Sequence, residues 1–283
     1  MPDTTVTTAW MPTGAVSPSA LVSARLQVHH AAQLVVAAGI SYLPAKPDDS
    51  HTNLEWLPAV GALAGNVLSP ASGFRFGLRV ADLSLLALGR GDQIIDALEL
   101  SGHDLSAGDL WMRDALGQAG FEPGRLTQKK HYAIPAHPVA GGAAFDAPRA
   151  HLAELSRYFH DAWVLTTRVA SERPEASVPR CWPHHFDLAT LLTLPSGSDG
   201  SRRTIGVGIS AGDGYYAEPY VYIGPYPYPP AAKLGALPFG HWHTDEWTGA
   251  VLTASEFSTP DGGERVLAFT HAAVAACERA FAS

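Results

Sequence analysis

Residues 186–223, FDLATLLTLPSGSDGSRRTIGVGISAGDGYYAEPYVYI, decide the fold class. Three runs, Phe186 to Leu194, Thr204 to Ile209 and Pro219 to Ile223, read as strands, and the residues between them, Ser196 to Gly200 and Gly212 to Gly214, are turn formers. Turns this short join antiparallel neighbours, because a parallel crossover needs a dozen or more residues. Thr248 to Ala254 reads as a further strand. The expectation is an α+β protein with mainly antiparallel sheets and helices packed on one side.

Toward the N-terminus the same period returns. Phe74 to Val80 alternates strictly, Leu83 to Leu88 reads as a more buried strand, and Ala81-Asp82 would turn a hairpin between them. Leu54 to Trp56 starts a short strand. Helices are expected over Ser19 to Ala38, ending at Gly39, then over Asp92 to Leu100, Ser106 to Gly120, Pro148 to Ala170 and Arg265 to Phe281. Residues 1–18 read as an arm, 19–135 as a first α+β lobe and 136–283 as a second. The break is expected in the Pro- and Gly-rich segment from His131 to Arg149. Each lobe has the order helix, strands, helix, and the two are compatible with one compact domain.

Composition narrows the function. The chain has 283 residues, 46% apolar and 16% charged, enough to bury a core and too apolar for a disordered chain. Its net charge of -8, with no basic stripe, argues against nucleic acid as a partner. Two cysteines, Cys181 and Cys277, are too few for a disulfide framework. Met1 to Gly14 reads as neither a signal nor a transit peptide, and no apolar run reaches membrane length, so a cytoplasmic protein without a membrane partner is expected.

Thirteen histidines against four lysines is an unusual balance, and several histidines lie near carboxylates. In Cys181-Trp182-Pro183-His184-His185-Phe186-Asp187, an extended chain would put His185 and Asp187 on one face. His241 and His243, in Gly240-His241-Trp242-His243-Thr244-Asp245-Glu246, share a face on the same condition. Two imidazoles and a carboxylate are a donor set for Fe(II) or Zn, so His185, Asp187, His241 and His243 are expected metal ligands. The plainer alternative is a set of half-buried histidines held by carboxylates, tying strands together.

Gly208-Ile209-Ser210-Ala211-Gly212 has the spelling of a nucleophile elbow, but a turn and another strand follow where a helix is required. Asp213 and Glu218 flank a run of tyrosines, which reads either as a packed edge strand or as an aromatic pocket wall. In the first lobe, His29 and Gln33 are four apart and share a helix face, with His51 in the next loop.

The Val28-His29-His30-Ala31-Ala32-Gln33 segment, the loop around His51, the Trp182 to Ala189 segment, and Gly212-Asp213 through Glu218-Pro219-Tyr220-Val221-Tyr222 to Tyr226-Pro227 resemble the bacterial DUF5996 family, a domain of unknown function. The resemblance spans most of the chain. The positions that fit are His29, Gln33, His51, His184, Asp187 and Glu218, whereas His185 and the His241 to His243 segment depart from the pattern. It implies a shared fold and pocket and carries no reaction.

The expected function is a small-molecule enzyme with a His/carboxylate site in an aromatic-lined pocket. His29, His51, His184, Asp213 and Glu218 are its candidate catalytic residues; Gln33, Trp182, Tyr220, Tyr222 and Trp242 are candidates for substrate binding. One version is metal-dependent, with Fe(II) or Zn. A second is metal-free acid–base catalysis by His, Glu and Tyr, and the non-catalytic alternative is a protein that captures a small molecule unchanged.

Overall fold

The computed structural model describes residues 9–197 and 200–282, so the first half of the expected arm and the tip of the Ser196 to Gly200 turn lie outside the described residues. The fold is α+β with two antiparallel sheets. Two compact units divide the described residues: one holds 21–156 and 181–186, the other 9–20, 157–180 and 187–282. The expected break at 135 falls inside the first unit.

The first unit opens with α1 (Val22–Tyr42), whose residues from Val28 to Gly39 are all buried. A helix apolar on every side is a core helix. Gln27 shows how a buried polar side chain on it is matched. Gln27 accepts from the backbone N–H groups of Asp146 and Ala147 at 2.9 and 3.0 Å and donates to the Asp146 carboxylate at 2.7 Å. The helix passes through Gly39, which was expected to end it. A Cβ there would lie 2.6 Å from the His51 carbonyl, so the glycine serves a close backbone approach, not a helix stop.

A five-stranded meander follows: β1 (Glu55–Leu57), β2 (Ala62–Ala64), β3 (Arg75–Arg79), β4 (Ser84–Leu88) and β5 (Ile94–Glu99). The expected hairpin is present, with Phe76 opposite Ala87 and Leu78 opposite Leu85. The expected helix over Asp92 to Leu100 is instead β5. Its helix-forming Ala97, Leu98 and Glu99 are overruled because β4 presents an open row of backbone groups, and β5 pairs with them as an exposed edge. Next comes α2 (Leu105–Gln118), whose cap is Asp104, accepting from Ala107 N at 3.0 Å, two residues before the expected Ser106.

A single helix, α3 (Arg149–Glu172), runs from the first unit into the second. The remaining elements are β6 (Arg180–Trp182), β7 (Asp187–Leu194), β8 (Arg203–Ser210), β9 (Tyr220–Tyr226), β10 (His241–His243), β11 (Gly249–Thr253), α4 (Ala254–Phe257) and α5 (Gly262–Ala282). The second sheet has the order β10-β11-β9-β8-β7-β6. One face, with Leu188, Leu192, Ile205, Val207, Ile209, Val221, Ile223 and Leu252, is fully buried, and α5 packs on this sheet. Among the described residues no helix is long and apolar enough to cross a membrane.

Candidate functional site

Strand register puts the chemistry of the second unit on one face. Asp187 pairs with Ser210, Ser210 with Tyr220, and Tyr220 with Thr253; Tyr222 lies between Gly208 and Val251, which is opposite His241. Side chains of directly paired residues share a face. Asp187, Ser210, Tyr220, Tyr222, His241 and His243 therefore project from the side opposite the apolar core. The expected His-x-His geometry of β10 is observed.

The Gly-rich spelling of β8 also has a physical use. The Tyr222 ring lies over Gly208 and Gly206, and a Cβ on Gly208 would sit 3.0 Å from that ring and 2.8 Å from both Ala189 Cβ and the Leu188 carbonyl. The glycines are a seat for the ring. Seated there, Tyr222 donates its hydroxyl to the Asp187 carboxylate.

Asp213 organises the next turn. Its Oδ1 accepts from Tyr215 N and Tyr216 N at 2.8 and 2.9 Å, and its Oδ2 accepts the Tyr220 hydroxyl at 2.6 Å. Burial first, and then the Asp213 charge, push the Tyr220 phenol far above its usual range, so it stays a proton donor. Asp213 thus positions three tyrosines, and its carboxylate is already occupied.

The Tyr216 hydroxyl lies 2.9 Å from His241 Nε2 and 3.0 Å from His243 Nδ1. His243 Nε2 lies 2.6 Å from the Asp245 carbonyl, which only accepts, so Nε2 carries the proton and neutral His243 accepts at Nδ1. Tyr216 therefore donates to His243 and accepts from His241 Nε2–H. One directed chain results: His241, Tyr216, His243, Asp245. Burial raises the Tyr216 phenol, keeping it protonated. Its outer end is the exposed His241. At the other end the Trp247 ring stacks on His243 at 4.4 Å, and Tyr215 meets both rings edge-on.

Other expected site residues lie elsewhere. Glu218 accepts the N–H and hydroxyl of Ser255, both at 2.6 Å, and so holds the start of α4 instead of facing the tyrosines. Trp242 points to the opposite side of β10 from its histidine neighbours and donates to the Gly235 carbonyl at 2.7 Å.

His184 and His185 occupy a turn, and β7 begins only at Asp187, after Phe186 in a left-handed conformation at φ 59°. The expected pairing of His185 with Asp187 on one strand face is thereby corrected: the chain is not extended there. His185 lies in the first unit and Asp187 in the second. Among the described residues, no three His, Cys, Asp or Glu side chains are grouped to hold a metal ion.

In the first unit, His29 Nε2 donates to the Pro183 carbonyl at 2.7 Å, and its ring stacks on Phe186 at 4.4 Å. Gln33 donates to the same carbonyl at 3.0 Å and accepts the Tyr132 hydroxyl at 2.9 Å. Burial lowers His29 to about 4, so its imidazole is neutral at physiological pH. These residues pin the 183–186 turn. His184 is half-buried beside Tyr132 and Trp182, with ring centres 5.6 and 6.2 Å away, and burial lowers its pKa. His51 accepts from Lys46 N at 3.3 Å, which makes it a loop tie. Tyr132 and Tyr216 went unassigned in the sequence: a lone tyrosine in a loop, or one among six, carries no spacing signal.

Against known proteins, no family model, curated protein or solved structure matches this chain.

Proposed function

We propose that the chain is a small-molecule enzyme of the metal-free acid–base type, working at the polar face of its second sheet. The observation that carries the reading is the Tyr216 hydroxyl held between His241 Nε2 and His243 Nδ1. In the reaction, His241 takes a proton from the substrate at its outer nitrogen, Nδ1. The Nε2 proton then passes to Tyr216, whose own proton passes to His243 Nδ1, and the Asp245 carbonyl steadies the resulting cation. The reverse sequence returns the proton to the product. An imidazole can both accept a proton and give it back, which suits both directions.

The rings of Tyr215 and Trp247 supply an apolar surface beside His243, the inner member of the relay, favouring a substrate with an aromatic or flat apolar body and an acidic C–H or O–H. Asp213 and Asp187 act through the tyrosines that they hold.

Incubation of the protein in D2O with a panel of aryl ketones and aryl α-hydroxy acids, followed by proton NMR, tests the reading. Enzyme-dependent exchange or conversion of at least one compound is expected. It should fall by about 100-fold or more in His241→Gln and Tyr216→Phe and persist in chelator. Compounds that all remain unchanged, or variants as active as the parent, would overturn it.

A further inference from the structure

A second site lies in the first unit. A cleft of about 710 Å³ opens between α1, α2 and the 128–140 segment, with apolar walls from Leu34, Leu105, Leu110 and Ile134. Its polar groups are nearly all committed. Arg113 donates to Asp109 at 2.6 Å and to the Pro123 and Leu126 carbonyls at 2.6 and 2.9 Å. The other Asp109 oxygen accepts from Gln128 at 3.0 Å, and His30 donates to the Pro135 carbonyl at 3.0 Å.

Lys130 is the exception. Its half-buried ammonium has no hydrogen bond or ion pair among the described residues, and the carboxylate that lines the cleft, Asp109, is already taken by Arg113 and Gln128. Burial holds it below the usual lysine range with no carboxylate to offset that, and its charge in turn depresses His29 and His30. A cation left half-desolvated without a counter-ion lacks a partner in a chain whose net charge is -8.

We propose that this cleft binds a small organic carboxylate, its anion at Lys130 and its apolar body along Leu34, Leu105 and Leu110. A charged head with an apolar tail matches both halves of the lining. The site is separate from the Tyr216 relay and stands or falls without it.

Phenylacetate, its neutral amide phenylacetamide and inorganic phosphate are the probes, with binding read by ligand-observed NMR. Phenylacetate should bind the parent protein in about the millimolar range and Lys130→Met at least about fivefold more weakly. The amide should bind more weakly than the acid and be indifferent to Lys130→Met. Leu110→Asp, at a side chain 63% exposed and so tolerant of change, should weaken the acid as well. Phenylacetate should also protect Lys130, but not Lys46, Lys129 or Lys233, from acetylation mapped by mass spectrometry. Equal affinity of Lys130→Met and parent, equal binding of acid and amide, or protection of all four lysines alike would overturn the proposal. Phosphate binding as tightly as phenylacetate would do the same, since bare charge would then suffice.

Discussion

His241, Tyr216 and His243 show how far a residue pattern can be read. The two histidines share a face because strand side chains alternate, and that much was legible in His-x-His. Their partner was not legible, because Tyr216 reaches them from a turn 25 residues away along the chain. His29 gives the converse case: it is visible as a buried helix position, while its role as an anchor for Pro183 depends on a chain segment 154 residues on. Its pKa of about 4, against the ordinary 6.5, makes a stability prediction. The unfolded chain takes up a proton below pH 6.5 and the folded one resists until about 4, so stability is lost as pH falls through that window. Urea unfolding of the parent should show about 2 kcal/mol less stability at pH 5 than at pH 7 from this group. His29→Gln should flatten the slope by that amount, and an unchanged slope would contradict the assignment.

Elements were legible where one force acted and misread where two competed. The hairpin of β3 and β4 and the strands β7, β8 and β9 follow from apolar alternation and turn residues alone. In β5, local helix preference lost to the unpaired edge of β4. At Gly39 a helix breaker was kept inside a helix because His51 passes close by. Glu218 was read as chemistry but holds the start of α4. Glu218→Ala should cost about 1 kcal/mol of stability and leave the proposed acid–base activity unchanged at saturating substrate, as denaturant titration and rate measurements would show. Gly208→Ala should cost about 1–3 kcal/mol, since the added methyl meets backbone and the Tyr222 ring, and should alter the tyrosine signal in near-ultraviolet circular dichroism. A stable variant with an unaltered spectrum would show that the ring does not need its seat.

At the scale of the whole molecule the fold class was legible and the division of the chain was not. Proline and glycine near 135 suggested a linker, yet the first unit continues to residue 156 and takes back residues 181–186. Contacts, not composition, set that boundary. Cys181 exchanges backbone hydrogen bonds with Leu54 at 2.9 and 2.8 Å, and Pro183 satisfies His29 and Gln33. A fragment ending at residue 156 leaves these buried groups unpaired, at about 1–3 kcal/mol each. It should melt without a cooperative transition, whereas a sharp melt would show that the 181–186 segment is dispensable. The central claim is the directed proton chain, and long-range nitrogen–proton correlation NMR reads it directly. With both imidazoles neutral, His241 and His243 should each carry the proton on Nε2, and Tyr216→Phe should release His241 from that preference. A proton on Nδ1 of His243 in the parent protein would contradict the relay.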